Sequence, residues 1–271
     1  WARSRNCCCS ATTASITAAT AELSSANNTA TVTTTAQAIN DPPVHTVPGT
    51  QATTEESSTS FGVSIADPDA AAAPIQTQVS VTNGTLTLNT ALGLTFSVGD
   101  GTSDSTMTFQ GTLSAINTAL ASVTYTPTAN FTGTAVFTIT TNDPGNTGSG
   151  GAKSDTDTVS ITVVGVNDAP VNTVPAAIQA VVEDTPTAIA GVSIADLDAG
   201  SGQVEIQLTA SGGTMTIGTA GLTFLVGDGL ADPAITARGT IAQLTAALAG
   251  LSYTPPANAS GGFTIVLRTS D

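Results

Sequence analysis

The sequence predicts an all-β fold that contains two similar β-sandwich units in tandem. Its 271 residues are enough for two domains of ordinary size. Only 9% of them are charged and 4% aromatic, and the Thr, Ala, Val, Ser and Gly that dominate the remainder are typical of short strands joined by tight turns. Apolar and polar residues alternate over several short stretches, as they do in half-buried strands. Most of this pattern occurs twice, so the two units are expected to share one fold.

The internal repeat is visible in four matched segments. Asn-Asp-x-Pro begins at residues 40 and 167, and Gly-Val-Ser-Ile-Ala-Asp begins at 62 and 191. Gly-Leu-Thr-Phe begins at 93 and 221, and Tyr-Thr-Pro begins at 125 and 253. The nearly constant spacing predicts two homologous repeats. The predicted organisation is an N-terminal tail (1–29), the last strand of a preceding unit (30–38), a first repeat (39–165) and an incomplete second repeat (166–271).

Strand and turn signals within each unit favour a sandwich over a barrel. Residues 79–82 and 85–88 alternate on either side of Asn83-Gly84, which predicts a β-hairpin. Apolar residues also alternate with polar ones over 158–164, which predicts a half-buried strand. Several short strands with frequent turns are typical of a β-sandwich.

Each unit is also predicted to contain one short helix. Apolar residues recur at spacings of three and four over 113–120 and again over 241–248. Tyr125 and Tyr253 occupy matching places before a proline. We expect both tyrosines in the core or at a corner of the fold rather than in a sugar-binding surface.

The charge balance excludes some classes of partner. Five basic residues face twenty acidic ones, which gives a net charge of −15. A nucleic-acid backbone or an anionic membrane surface would be repelled by such a chain. No apolar run approaches the roughly 20 residues of a membrane span, so membrane insertion is not expected. A divalent cation is the partner that this charge favours.

The acidic residues are concentrated at matching places in the two repeats. Sixteen of the twenty carboxylates form eight pairs: Asp41/Asp168, Glu55/Glu183, Glu56/Asp184, Asp67/Asp196, Asp69/Asp198, Asp100/Asp228, Asp104/Asp232 and Asp143/Asp271. Asp-x-Asp brings two carboxylates together in a turn, and calcium binds such hard oxygen ligands. The alternative is that these aspartates only form turns. We favour that alternative for the Gly-Asp-Gly turns at Asp100 and Asp228, which need no metal.

These motifs resemble tandem cadherin-like repeats. The motifs that carry the resemblance are the Asn-Asp-Ala-Pro linker, a Glu-Asp pair soon after it, Asp-x-Asp-Ala, Gly-Asp-Gly and Tyr-Thr-Pro. The resemblance covers 39–271 and extends to 30–38 as the end of a preceding unit. The resemblance implies immunoglobulin-like β-sandwiches joined end to end, with calcium bound at the junction between neighbouring repeats. It also implies an extracellular location, as in bacterial surface adhesins. The chain departs from animal cadherins because it has no Asp-Arg-Glu motif.

The resemblance also implies a set of calcium ligands. At the central junction these are Glu55 or Glu56 of the first repeat, Asn167 and Asp168 of the linker, and Asp196, Asp198 and Asp271 of the second repeat. The junction before residue 41 uses Asp41, Asp67, Asp69 and Asp143. Glu183 and Asp184, which match Glu55 and Glu56, are the corresponding candidates in the second repeat.

The two ends of the chain suggest a mode of assembly. Residues 158–164 form the predicted last strand of the first repeat, the second repeat stops before its counterpart, and a matching segment stands alone near the N-terminus. That assembly strand consists of Thr31, Val32, Thr33, Thr34, Thr35, Ala36 and Gln37. One hypothesis is donor-strand completion, in which this strand fills the second repeat of the next copy head to tail. The alternative is that the chain is a segment of a longer tandem array.

The sequence contains few candidate catalytic residues, so we do not expect an enzyme. The single histidine, His45, lies in a Pro-rich segment where the other repeat has Asn172, and we expect a solvated turn residue there. The cysteines, Cys7 to Cys9, are adjacent in the tail. The predicted function is a structural spacer or fibre subunit outside the cell, stiffened by calcium. The alternatives are an adhesive module that binds a glycan or a surface protein, and a surface-layer component.

Overall fold

The structure of the protein is a computed structural model that describes residues 14–15, 31–32, 36–37, 39–70, 73–145 and 148–271. Contacts between Cα atoms divide the chain into two compact units, Trp1–Gly165 and Val166–Asp271. Both units consist mainly of strands arranged in several sheets. The predicted all-β class is therefore confirmed.

The first unit contains thirteen strands and one helix among its described residues. The strands are β1 (Ala14–Ser15), β2 (Thr31–Val32), β3 (Val44–Thr46), β4 (Gln51–Thr54), β5 (Thr59–Phe61), β6 (Ser64–Ala66), β7 (Ile75–Val81), β8 (Gly84–Thr87), β9 (Thr95–Val98), β10 (Thr106–Gly111), β11 (Val123–Pro127), β12 (Gly133–Asp143) and β13 (Lys153–Val164), and the helix is α1 (Leu113–Leu120). A six-stranded sheet has the order β4-β13-β12-β7-β10-β9, and a three-stranded sheet has the order β5-β11-β8. β3 pairs with β6, and β1 pairs with β2.

The two larger sheets of the first unit contribute to one hydrophobic core. Successive side chains of a strand point to opposite faces, and the side chains of β7 accordingly alternate between buried and more exposed. Phe109, Tyr125, Phe137 and Ile161 come from both sheets and are fully buried in this core. The arrangement is consistent with the predicted β-sandwich.

The predicted hairpin at Asn83-Gly84 is wrong. β7 pairs with β10 and β12, whereas β8 pairs with β11, so the turn carries the chain from one sheet to the other. Asn83 adopts a positive φ of 54° there. Turn residues fix where the chain reverses, but the burial of apolar faces decides which strands become neighbours.

The second unit contains nine strands and one helix. The strands are β14 (Val171–Thr173), β15 (Thr187–Ala188), β16 (Ser193–Ala195), β17 (Val204–Ala210), β18 (Thr214–Thr216), β19 (Thr223–Val226), β20 (Ala234–Gly239), β21 (Ser252–Thr254) and β22 (Ile265–Ser270), and the helix is α2 (Ile241–Ala249). A four-stranded sheet has the order β19-β20-β17-β22, a three-stranded sheet has the order β15-β21-β18, and β14 pairs with β16.

The four-stranded sheet repeats part of the six-stranded one, with β22 in the place of β12. In the first unit the sheet continues from β12 through β13 to β4, and β4 runs parallel to β13. In the second unit it ends at β22, and residues 179–182, which match β4, form no strand. The backbone edge of β22 is therefore without a neighbouring strand in the part of the chain that the structure describes.

Both predicted helices are present. α1 has the predicted bounds, and α2 extends one residue further to Ala249. Each begins after a threonine whose side chain accepts a backbone hydrogen bond, Thr112 from Ala115 N and Thr240 from Gln243 N. Such caps satisfy N–H groups that have no partner within the helix.

The predicted assembly strand is only partly described. Thr31 and Val32 pair with Ser15 and Ala14, and Ala36 and Gln37 are exposed and form no strand. Residues 33–35 lie outside the described residues, as do Cys7 to Cys9 and most of the N-terminal tail.

Candidate metal centre

Three aspartates of the first unit come together where β12 ends. Asp67 and Asp69 lie in the loop after β6, and Asp143 is the last residue of β12. The loop turns tightly because Asp67 Oδ1 accepts hydrogen bonds from the backbone N–H groups of Asp69 (3.2 Å) and Ala70 (3.1 Å). One carboxylate oxygen from each of the three aspartates lies within 4.8 Å of the other two. We call these three residues the first carboxylate cluster.

The Asn-Asp linker motif is hydrogen-bonded to this cluster. The backbone N–H of Asp41 donates to Asp69 Oδ2 at 2.9 Å. The backbone N–H of Asn40 donates to the carbonyl oxygen of Ser149 at 2.9 Å, and its Nδ2 donates to that of Gly151 at 3.0 Å. The motif therefore joins the loop after β6 to the segment that precedes β13.

Three buried oxygens at this place have no hydrogen-bond partner among the described residues. They are Asn40 Oδ1, Asp67 Oδ2 and Asp143 Oδ2. Asn40 is 0% exposed, Asp143 3% and Asp67 8%. Buried polar atoms are nearly always hydrogen-bonded in proteins, and buried carboxylates without a counter-charge are unfavourable. Hard oxygens of this kind are the ligands that calcium binds.

The electrostatics of the cluster favour a cation for the same reason. Burial raises the pKa of Asp67 from 3.8 to about 6, and the neighbouring carboxylates of Asp69 and Asp143 contribute in the same direction. Carboxylates that share one site resist being ionised together. A divalent cation between them would remove this cost.

The second unit builds the same loop from the matching residues. Asp196 Oδ1 accepts hydrogen bonds from Asp198 N (3.2 Å) and Ala199 N (2.9 Å), and Asp168 N donates to Asp198 Oδ2 at 3.0 Å. Asp196, Asp198 and Asp271 again bring carboxylate oxygens within 4.8 Å of one another. We call these three residues the second carboxylate cluster.

The two clusters differ in burial. Asp198 and Asp271 are exposed and Asp196 is half-buried, although Asp196 Oδ2 is buried without a partner in the described chain. Asn167 Nδ2 donates to Asp271 Oδ2, which is a contact that Asn40 does not make. The pKa of Asp198 is lowered, first by the hydrogen bond from Asp168 N and then by its contact with Asp196. The second cluster is therefore the more exposed of the two.

The other predicted ligands are not members of the two clusters, and some of them contribute backbone groups instead. Asp41 and Asp168 supply backbone N–H groups, and their carboxylates do not belong to either cluster. Glu55 is buried beside the end of β13, where its N–H donates to Val164 O. Asp143 pairs with Lys153 at the start of β13, so Glu55 lies at the opposite end of that strand. The remaining candidates are exposed and outside both clusters: Glu56, Glu183 and Asp184.

The expectation for His45 is wrong. It lies on β3 with its side chain 0% exposed, and Nε2 is 2.8 Å from Thr141 Oγ1. Asp155 and Asp157 of β13 face its other ring nitrogen. The sequence carries a signal for this, because 153, 155 and 157 continue the inward face of the strand that Val159 begins. The Pro-rich surroundings of His45 obscured the three-residue strand.

Backbone N–H groups donate to an aspartate side chain in each of the two Gly-Asp-Gly turns. Asp104 Oδ2 accepts hydrogen bonds from the N–H groups of Asp100 (2.9 Å) and Gly101 (3.1 Å). Asp232 makes the same two contacts to Asp228 and Gly229 in the second unit. These carboxylates are occupied by the backbone and are poor candidates for metal ligands.

Comparison of the chain with models of protein families and with curated proteins found no match. In the described part of the chain, neither helix has the length and apolar character required to cross a bilayer.

Proposed function

We propose that this protein is a structural segment of an extracellular fibre or adhesin stalk, built from end-to-end immunoglobulin-like repeats of the cadherin class and stiffened by calcium. The observation that carries the proposal is that Asn40, Asp67 and Asp143 each have a buried side-chain oxygen with no hydrogen-bond partner in the part of the chain that the structure describes. The repetition of the same loop in the second unit supports it, because both copies place carboxylates beside an Asn-Asp linker.

Calcium fits the donor set of both clusters. It takes six to eight oxygen ligands, and each cluster offers three carboxylates, to which water adds further oxygens. Extracellular modules of this kind bind calcium at about 10⁻⁴–10⁻³ M. The net charge of −15 suits a protein that works in a calcium-rich medium.

The mechanical role follows from where the linker residues are held. The backbone of Asp41 is bonded to the first cluster and that of Asp168 to the second. A cation that neutralises the cluster strengthens the loop to which each linker is attached. Fewer linker conformations then remain, and a chain of repeats becomes stiffer.

Calorimetric titration of the chelator-treated 271-residue chain with calcium tests this proposal. We expect two ions per chain. Asp67→Asn should abolish the first site and Asp196→Asn the second, because Asn still accepts the loop hydrogen bonds through Oδ1 but lacks the charge. Asp100→Asn is the matched control and should leave two sites. Absence of binding at millimolar calcium, or two sites retained in both cluster variants, would overturn the proposal.

A second part of the proposal concerns the edge of β22. A groove of 370 Å³ adjoins it, with a lining that includes Ile178, Val181, Leu208, Phe263 and Leu267. In the first unit the corresponding place is filled by β13, which inserts between β12 and β4. There it buries Val159, Ile161 and Val163.

We assign the groove to residues 31–37 of another copy. This segment matches 158–164 in sequence position, and every second residue, beginning with Val32, would enter the groove. Strand addition supplies main-chain hydrogen bonds to the free edge and places alternate side chains in pockets. The contact is head to tail and does not close, so it generates a filament.

Two synthetic peptides separate this assignment from a longer covalent array. A peptide of residues 156–166 reports whether the groove accepts a strand, and one of residues 29–39 reports whether the N-terminal segment is a donor. We expect both to bind the full chain in fluorescence anisotropy. Val32→Lys should weaken the second peptide, and Thr33→Lys, on the opposite face, should not. Binding of the first peptide alone would assign the groove to chain that continues a tandem array, and binding of neither would reject strand completion.

A further inference from the structure

His45 and two aspartates form a third cluster in the first unit, separate from the carboxylate clusters. His45 Nδ1 lies 3.5 Å from Asp155 Oδ2 and 3.3 Å from Asp157 Oδ2. The three ligand atoms all lie within 4.8 Å of one another. Asp155 and Asp157 are two residues apart on β13 and therefore face the same side of the strand.

The imidazole is buried and aimed at these carboxylates, but it forms no hydrogen bond with them. Its side chain is 0% exposed, and Nδ1 has no hydrogen-bond partner among the described residues. Neither carboxylate forms an ion pair with a lysine or arginine in the described chain. The cluster thus combines a buried nitrogen without a partner with two carboxylates that lack a fixed cation.

We infer that His45, Asp155 and Asp157 bind a zinc-like divalent cation through one nitrogen and two oxygens. Bonds of about 2.0–2.1 Å in a tetrahedral site place neighbouring ligand atoms about 3.3–3.4 Å apart. The two nitrogen-to-oxygen distances agree with this spacing and are too long for good hydrogen bonds. Imidazole nitrogen favours zinc and similar metals over calcium. Water completes the coordination.

The opposite side of the ring supports this assignment. Nε2 contacts Thr141 Oγ1 at 2.8 Å, and Thr141 Oγ1 lies 3.2 Å from Thr77 Oγ1. A histidine that binds metal through one nitrogen usually donates a hydrogen bond from the other, which fixes its orientation. The backbone N–H of His45 also donates to Asp155 Oδ2 at 2.9 Å and holds that ligand in place. The cation would clip β3 to β13.

The second unit provides a natural variant without the site. Asn172 occupies the place of His45, and Thr269, in the place of Thr141, donates to Asn172 Oδ1. An asparagine therefore keeps the contact with the matching threonine, which is half-buried in the second unit, but cannot act as an imidazole ligand. His45→Asn is expected to fold for this reason.

The test uses the single histidine as a reporter. The full chain is prepared without a polyhistidine tag, its cysteines are alkylated, and excess calcium is added to occupy the carboxylate clusters. Zinc is then titrated while the imidazole ¹⁵N resonances are followed by NMR. We expect Nδ1 to shift with saturation at one equivalent, while Nε2 keeps its proton.

Calorimetry with zinc on the same alkylated chain extends the test to variants. We expect His45→Asn and Asp157→Asn to weaken the site at least about tenfold, and Asp143→Asn to leave it unchanged. If the imidazole ¹⁵N resonances do not change on addition of one equivalent of zinc, or if Nδ1 stays protonated throughout, the cluster is an ordinary buried ion pair and the inference is overturned. Equal zinc affinity in all three variants would overturn it as well.

Discussion

Tyr125 donates its hydroxyl to the carbonyl oxygen of Asn83 at 2.8 Å. Asn83 belongs to the turn that takes the chain from β7 in one sheet to β8 in the other. The second unit repeats this contact between Tyr253 and Gly212 at 2.7 Å. In both units the tyrosine therefore links the core to the crossing point between sheets.

Removal of the Tyr125 hydroxyl should destabilise the first unit modestly. The carbonyl of Asn83 also accepts a bond from Thr128 N at 3.0 Å, so Tyr125→Phe should lower the free energy of unfolding by about 1 kcal/mol. Gly84→Ala should cost more, about 1–3 kcal/mol, because a Cβ there would lie 2.3 Å from the Tyr125 ring. Urea denaturation of each variant measures both values, and equal losses would contradict this account.

The two helix caps should differ in strength. Thr240 and Gln243 form a reciprocal capping box, whereas Thr112 accepts one bond from Ala115 N. We expect Thr240→Ala to lower the unfolding free energy by about 1–2 kcal/mol and Thr112→Ala by about 0.5–1 kcal/mol. The matched serine variants keep a hydroxyl and should lose little. A larger loss at Thr112 than at Thr240 would contradict the prediction.

The stability of the calcium-free protein should depend on the ionisation of Asp67. Its pKa is about 6 in the folded chain and about 3.9 when unfolded. The stability that protonated Asp67 contributes is complete below pH 4 and is lost as the pH rises through 6. In chelator, the unfolding free energy of the wild type should therefore fall over this window relative to that of Asp67→Asn.

Added calcium should reduce that fall, because the cation favours the ionised carboxylate. Urea denaturation at pH 4, 5, 6 and 7, with and without calcium, measures the effect. Parallel pH profiles for wild type and Asp67→Asn in chelator would show that burial of this carboxylate has no energetic cost.

Calcium should also protect two linker amides. Asp41 N and Asp168 N donate to carboxylates of the clusters, so their hydrogen exchange reports opening of each loop. We expect slower exchange of both amides in calcium than in chelator, while core amides such as that of Ile139 change little. Uniform slowing throughout the chain would indicate global stabilisation rather than a local effect on the linkers.

Binding of a peptide in the groove beside β22 should depend on the side chains on one face of that strand. Leu267 lines the groove, whereas Val266 is 44% exposed and is not part of the lining. Leu267→Ser should weaken binding of the 156–166 peptide at least about tenfold, since it removes an apolar contact of about 2 kcal/mol. Val266→Ser should leave the affinity unchanged. Anisotropy titrations of the two variants compare them directly, and an equal effect of both would place the peptide elsewhere.

Local and repeated signals predicted much of the fold. The helices at 113–120 and 241–248 follow from apolar spacing and are present almost to the residue. Asp67 and Asp69 were predicted together because Asp-x-Asp forms its own turn, which their hydrogen bonds show. The pairing at Asn83-Gly84 was not predictable in this way, because a turn motif does not say which sheet receives the next strand.

The sequence by itself determined the β class, the short helices and the acidic loops, because composition and the spacing of neighbouring residues predict each of them. It also determined the duplication, because the same motifs recur along the chain. The grouping of Asp143 with Asp67 was implied by the resemblance to cadherin-like repeats and not by a local pattern, and the structure brings Asp143 there from the end of β12. Only the tertiary structure decided that Asp41 contributes its backbone N–H to this cluster rather than its carboxylate. It also decided that His45 is buried against Asp155 and Asp157, more than a hundred residues away. Such long-range contacts depend on strand order and register. These arise when apolar faces are buried together, and no local pattern specifies them.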